Sequence, residues 1–258
     1  MDRKQLALQP RLHMLARLVP EGCRLTDVGT DHGYLPVALL QQGRISTAIA
    51  SDIGAEPLEH ARRTAVQYGV DGMDFRLCAG LSGVAPEETD VIVIAGMGGE
   101  TIISILQDAP WTADGQHRLL LQPMTKAAAL RHWLADNGYT FADEHLVEDK
   151  GRIYPILCVE GGAFRPLTEA EALCGVLLAD DPLYAAYLTE HITKLRRSAE
   201  GLRRSSDPDG GRLGGAAGGA GAGAGPCRWP HRRRAWRPNW RSGGVKVDNC
   251  TASGTEAL

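Results

Sequence analysis

No stretch of this 258-residue chain approaches the roughly 18–20 consecutive apolar residues of a membrane-spanning helix, so no partnership with a membrane is expected. The opening MDRKQLALQPRLHML has no apolar centre long enough for a secretory leader, which gives the expectation of a cytoplasmic protein. Cysteine is sparse and scattered. The six (Cys23, Cys78, Cys158, Cys174, Cys227, Cys250) form no C-x-x-C pair, and four fall in apolar runs, where a small buried thiol is the usual case. This spacing argues against a disulfide framework or a zinc site. H-E-x-x-H and EF-hand patterns are also missing, so no metal is expected, and nothing implies an obligate protein partner.

What is present is an ordinary globular composition, 43% hydrophobic and 23% charged, in a chain long enough for one sizeable core plus an appendage. The net charge of −3 hides a split. Residues 1–206 carry 20 Lys+Arg against 27 Asp+Glu, a balance of −7, whereas 207–258 carry 8 against 4, a balance of +4. The two parts are therefore read separately.

Through residue 162, short apolar runs alternate with helical patterns. Strands are expected at RLTDVG (24–29), TAIASDI (47–53), MDFRLCAG (73–80), DVIVIAGM (90–97) and RLLLQPM (118–124). Helices are expected at 34–42, 56–69, 100–109 and 126–138, preceded by a short amphipathic helix at 9–20. TFADEHLVEDKG (140–151) and RIYPILCVE (152–160) then read as two strands joined through Asp-Lys-Gly. Five strands alternating with helices require parallel pairing with right-handed crossovers, and the closing hairpin adds one antiparallel strand. The expected fold is α/β: a doubly wound, mostly parallel, seven-stranded Rossmann-like sheet in a domain of residues 1–162. Its ligand should lie at the carboxyl ends of the strands, near the switch in strand order.

From 168 the pattern becomes purely helical. Thr168 followed by Glu171 is a capping box, and Ile192, Leu195, Ala199 and Leu202 keep helical spacing with Lys and Arg between them. Residues 163–206 are expected to form a helical appendage, a hairpin arm or one half of a coiled coil. After Asp207 the apolar period is lost; 12 of the last 52 residues are glycine and three of the five tryptophans lie there. Such a segment cannot bury enough apolar surface to offset its ordering entropy, so 207–258 is expected to be disordered.

The segment TDVGTDHGYLP (26–36) resembles a nucleotide-binding turn with too few glycines. A dinucleotide turn reads G-x-G-x-x-G because backbone amides must approach a pyrophosphate at a helix N-terminus. Here the spacing is Asp27-x-Gly29-x-x-x-Gly33, with Asp31 and His32 inside the turn. The glycines still permit a sharp turn, but the aspartates would repel a diphosphate. The loop suits a ligand that is uncharged or cationic at this point. S-adenosylmethionine meets that description, with an ammonium, a sulfonium and no phosphate. Asp52, about 20 residues on at the end of the next strand, stands where a carboxylate accepts hydrogen bonds from a ribose diol. Cys78-Ala79-Gly80 and Ala95-Gly96-Met97 end the third and fourth strands, where adenine and methionine moieties would be walled in. Plainer readings stand beside these: turn glycines at 29 and 33, a helix cap at Asp52, a structural histidine at His32. Gly96-x-Gly98 could also open a nicotinamide site, although Thr101 takes the place of a third glycine and no acidic residue ends the following strand.

Five blocks in order, DVGTDHGYLP (27–36), SDIGAEPLEHA (51–61), DVIVIAGMGGETI (90–102), LLLQPMTKAAALRHWLADNGY (119–139) and GRIYPIL (151–157), resemble the bacterial tRNA (adenine(22)-N1)-methyltransferase family. The resemblance implies a class I methyltransferase domain, S-adenosylmethionine as donor, tRNA as partner and methylation at N1 of an adenine in the D-loop region. By position it implies donor-loop roles for Asp27, Gly29, Thr30, Asp31, His32 and Gly33. It implies ribose and adenine contacts at Asp52 and Ile53, and a donor-site floor at Ala79, Gly80, Ala95, Gly96 and Met97. Adenine N1 has a free lone pair, so transfer needs in-line approach rather than a strong base. A carboxylate near the ring would stabilise the positive charge that develops. Asp31 is the first candidate, with His32 or Tyr34 orienting the base and Gln122 reading its Watson–Crick edge. Alternatives are another RNA, small-molecule or protein acceptor, or a donor-binding protein inactivated by its altered C-terminus. The family pattern leads to a second long helix after the Arg-rich one, where this chain has Gly/Ala/Arg/Trp-rich sequence; a shifted reading frame in a GC-rich gene would give that composition.

Overall fold

The computed structural model describes residues 5–204. The expected tail at 207–258 lies outside the described residues. Helix α1 (Pro10–Leu18) precedes strand β1 (Arg24–Val28), helix α2 (Tyr34–Gln41), β2 (Thr47–Asp52), α3 (Ala55–Tyr68) and β3 (Met73–Leu77). Then come β4 (Val91–Gly98), α4 (Gly99–Gln107), β5 (Arg118–Thr125), α5 (Ala127–Asp136), β6 (Tyr139–Asp149) and β7 (Arg152–Gly161). The seven strands form one sheet in the order β3-β2-β1-β4-β5-β7-β6. The pairs from β3 to β5 are parallel, and β7 runs antiparallel to both its neighbours. The doubly wound, mostly parallel sheet read from the periodicity is the sheet observed.

The central strands are apolar on both faces because helices cover both. Along β4, Val91 and Val93 enter one core with Leu15 of α1 and with Leu35 and Leu39 of α2. Ile92 and Ile94 enter the other, with Ile102 and Leu106 of α4 and with Leu130 and Leu134 of α5. The same two-residue alternation divides Leu120 from Leu119 and Leu121 on β5. Strand β3 stops at Leu77, short of the expected Gly80, because the chain turns there: Ser82 N–H donates to the Ala79 carbonyl, and Gly80 takes φ +56°. Among the described residues no helix is long and apolar enough to cross a membrane.

The C-terminal region departs from the continuous helical pattern expected from 168. The capping box forms, with the Glu171 N–H donating to Thr168 Oγ1 and the Thr168 N–H to Glu171 Oε2, but it starts only the short helix α6 (Glu169–Cys174). Gly175 at φ +102° ends it, and helix α7 (Tyr184–Arg204) begins nine residues later. A buried ion pair holds the intervening segment. Arg131 Nε of α5 donates to Glu144 Oε1 of β6 at 2.8 Å, both side chains being 0% exposed. Arg131 Nη1 donates to the Ala172 carbonyl, while Glu144 Oε2 accepts the N–H groups of Val176 and Leu177. Tyr187 at the start of α7 then packs with Leu146 and Leu178. Farther along the helix Ile192 and Leu195 are exposed.

Because Glu144 is buried, removing its partner leaves an uncompensated charge. Arg131→Met is expected to lose about 3–5 kcal/mol in urea unfolding at pH 7. Glu144→Gln, which keeps an acceptor for the two backbone N–H groups, should lose less. Equal losses would show that the ion pair is not what matters.

Candidate active site

At the centre of the sheet, β1 lies between β2 and β4, and the chain leaves the two sides of this switch in opposite directions. The register brings the strand ends level: Val28 beside Ser51 and Ile94, Asp52 beside Leu77, Ala95 beside Gln122. Residues far apart in sequence thus share one rim. Only Asp27, within β1, lies beneath it.

The loop after β1 is pinned by its backbone. The N–H groups of Gly29 and Thr30 both donate to the Ser51 carbonyl, and the Gly33 N–H donates to the Thr30 carbonyl. Gly29 at φ +69° and Gly33 at φ +66° are left-handed, and so is Asp31 at φ +50°. Gly33 has no room for a side chain: a Cβ there would stand 3.0 Å from Ala61 Cβ and 3.3 Å from Ala61 Cα. At Gly29 a Cβ would run into Met97 Cε, so Met97 lies directly over the loop.

The carboxylates differ in environment. Asp27 is buried and accepts from Thr30 Oγ1 at 2.7 Å. Burial raises its pKa to about 6; the Thr30 hydrogen bond opposes that shift and the charge on Asp52 adds to it. Asp52 accepts from the Gly54 N–H with Oδ1 at 2.9 Å, and its Oδ2 stands 3.4 Å from the Asp31 N–H. The cap-like bond to Gly54 therefore occupies one oxygen and leaves the other facing the loop. The Asp31 side chain is 68% exposed, with Oδ1 3.7 Å from His32 Nε2.

His32 is the middle of three stacked rings. Tyr34 lies 5.1 Å away at 8° and His60 of α3 lies 4.9 Å away at 7°. Ligand-type atoms of Asp31, His32 and His60 stand within 4.8 Å of one another. The near-parallel rings direct their lone pairs in parallel planes, a poor fit to a shared metal ion. On the neighbouring strand ends, Ile53 and Leu77 are 79% and 62% exposed, two apolar side chains turned to solvent beside Asp52.

Across the switch, the end of β4 is irregular, with register shifts on both sides of Met97. Gly96 takes φ +78°, and its N–H donates to Gln122 Oε1 at 3.1 Å. Gln122 is buried. The same Oε1 accepts from Arg11 Nη1 at 3.1 Å, and Nε2 donates to the Pro123 carbonyl. The amide expected to read a base edge is thus committed within the protein. Sequence reasoning missed Arg11, His60, Leu77 and Asp149, the buried carboxylate that accepts from Arg11 Nε at 2.6 Å. For His60 a signal existed, since it lies in the SDIGAEPLEHA block one helical turn after Glu56. For the Arg11–Asp149 pair there was none.

Comparison with known proteins agrees with this geometry. The family model of a methyltransferase domain matches residues 8–157. The tRNA (adenine(22)-N(1))-methyltransferase of Bacillus subtilis (strain 168) is 36% identical over 159 residues, 61% of this chain and 67% of the relative. The crystal structure of the B. subtilis m1A22 tRNA methyltransferase TrmK superposes with a TM-score of 0.75 at 29% identity, covering 83% of this chain and 95% of that one. Sp1610 of Streptococcus pneumoniae, crystallised with S-adenosyl-L-methionine, gives 0.70 at 31% identity, covering 81% and 96%.

Burial of Asp27 has a signed consequence. Its folded pKa of about 6 lies above the unfolded value of 3.8, so the native state binds the extra proton. This residue's contribution to stability should therefore fall as pH rises from 4 to 6. Asp27→Asn keeps an acceptor for Thr30 and should remove that slope, gaining about 2–3 kcal/mol relative to the parent at pH 7 but little at pH 4. Chemical unfolding of both proteins across pH 4–7 measures the difference; a pH-independent difference would refute the assignment.

Proposed function

The chain belongs to the methyltransferase-domain family, matched over residues 8–157, and we propose that it transfers a methyl group from S-adenosylmethionine to N1 of adenine 22 in tRNA. The observation that carries this function is the chemistry around the β1 loop. Asp27 and Asp31 lie beneath and within it where a pyrophosphate binder would offer backbone amides alone. These two carboxylates fit the ammonium and sulfonium of this donor and repel a pyrophosphate, while Asp52 suits its ribose diol. The similarity to the B. subtilis tRNA (adenine(22)-N(1))-methyltransferase supports the acceptor, and the donor bound in Sp1610 supports the methyl source.

When bound, the donor supplies a methyl group on a sulfonium, which the N1 lone pair displaces so that sulfur leaves neutral and the positive charge passes to the adenine ring. The protein's part is position and field. Gly29, Thr30 and Gly33 bring the loop backbone close to the donor's methionine end, with Asp27 and Asp31 supplying negative potential. Asp52 takes the ribose diol with Oδ2, which accepts only the long 3.4 Å bond from the Asp31 N–H and keeps a further lone pair. Ile53 and Leu77, with Ala79 and Gly80, bracket the donor adenine, and Ala95, Gly96 and Met97 form the floor. Tyr34, at the end of the ring stack, holds the target base by its ring face once it has left the tRNA stack, and His32, sandwiched between Tyr34 and His60, orients Tyr34 for it. Asp31, exposed and next to that stack, stabilises the cationic ring as it forms. Gln122 shapes the floor through Gly96 instead of reading the base. No residue need take a proton, because N1 carries none. This function places the protein with tRNA in the cytoplasm.

Calorimetry with S-adenosylmethionine, followed by methyl transfer to an unmodified tRNA transcript, tests the proposal; replacing adenine 22 by guanine should abolish transfer. Asp31→Asn is expected to lower kcat about 100-fold. Tyr34→Ala should act mainly on KM for tRNA. An Asp31→Asn protein with weakened donor affinity but parental kcat at saturating donor would remove Asp31 from the chemistry.

A further inference from the structure

We propose that Arg11 is a positioning residue for the acceptor side of this site, acting through Gln122 on the Gly96 turn. The inference rests on the function proposed above, but its geometry stands apart from the donor loop. Arg11 lies on α1, the first described helix, and reaches across the sheet end to three other elements. Nε donates to Asp149 of β6 at 2.6 Å, and Nη1 donates to Gln122 Oε1 and to Met124 Sδ of β5, both at 3.1 Å. The guanidinium also lies 5.3 Å from the ring centroid of Tyr154 on β7.

These contacts determine which way the Gln122 amide points. Its oxygen accepts from Arg11 and from the Gly96 N–H, while its nitrogen donates to the Pro123 carbonyl. A flipped amide would set N–H against two donors and oxygen against a carbonyl. Arg11 therefore keeps an acceptor aimed at Gly96, and Gly96 sits at the left-handed bend between the regular part of β4 and the irregular Met97–Gly98 end. A Cβ on Gly96 would meet nothing within 4 Å, so this bend is an open point of backbone that a base can approach. Asp149, itself buried, neutralises the guanidinium, so that fixing the bend does not leave a bare cation beside a ring that must become positive.

The rival role is plain stability: Arg11 present only to satisfy buried Asp149. Arg11→Lys separates the two, since an ammonium can pair with Asp149 but lacks the fork that also reaches Gln122. Gln122→Met breaks the chain from the other side while filling similar volume. Each single variant is expected to lower kcat for tRNA methylation at saturating donor about 10–100-fold, a larger loss than that of donor affinity by calorimetry, because Gly96 also floors the donor site whereas the β1 loop keeps its own bonds to Ser51. The double variant should match Gln122→Met within about twofold, since Arg11 has nothing left to act through. Parental kcat in Arg11→Lys, or losses that multiply in the double variant, would overturn the proposal. Amide hydrogen exchange at Gly96 gives a readout independent of transfer: it should quicken in both single variants. Should the parent protein transfer no methyl group, the exchange data still decide whether Arg11 holds the Gly96 turn. Unchanged exchange in Arg11→Lys would overturn that as well.

Discussion

The site depends on one constraint, the parallel pairing of β1 with β4. These strands head the two halves of the sheet, and the helices that follow them pack on opposite faces: Leu35 and Leu39 of α2 in one core, Ile102 and Leu106 of α4 in the other. A loop leaving β1 and a loop leaving β4 must therefore diverge, and the space between them is a crevice that no side chain had to be removed to create. Everything chemically interesting is a short extension from a strand end held in register there. The positive φ values at Gly29, Gly33 and Gly96 allow the chain to turn immediately instead of running on.

That placement exposes a conflict between holding the fold and holding a cation. Asp27 is buried among the strands and its pKa is raised to about 6, so ionising it works against the native state. A well-packed apolar residue would be more stable there. The Thr30 hydroxyl offsets part of the burial penalty and at the same time fixes the loop that carries Asp31. Destabilising charge concentrated at a ligand site is the expected trade between stability and function. It also means that a cationic ligand, by favouring ionised Asp27, stabilises the loop it binds.

The fold was legible because its physics is local and repetitive. Runs such as Val91–Ile94 admit little but a strand buried on both faces, and the spacing of Gly29, Gly33 and Asp52 by itself announces a turn and a strand end. The break at 175–183 was not legible. Helical periodicity continues through LCGVLLADD, and what overrides it is a carboxylate on β6, Glu144, capturing the N–H groups of Val176 and Leu177 from 32 and 33 residues away. Gln122 illustrates the same limit. Its position at the end of β5 was evident, but its partners Arg11 and Gly96 lie 111 and 26 residues off, and no local pattern shows that they have already engaged its amide. Arg11 and Asp149, separated by 138 residues, could not have been paired from sequence at all.

Sequence separation also divides the site into halves that can fail separately. The donor loop, the ribose carboxylate and the adenine wall come from the ends of three consecutive strands, β1 to β3, whose contacts are mostly between near neighbours along the chain, with only the floor supplied from β4. The acceptor side is closed by α1, β4, β5, β6 and β7, and its defining contacts span more than a hundred residues. The loop-closure entropy of such contacts is met only when the whole sheet is built. The same β6 also carries Glu144, which anchors the segment leading into α7. Loosening β6 therefore reaches both the Arg11 anchor at Asp149 and the C-terminal helix while leaving the β1 loop in place. Donor binding is accordingly the more robust property of this architecture, and orientation of the acceptor base is the property most exposed to damage far from the crevice.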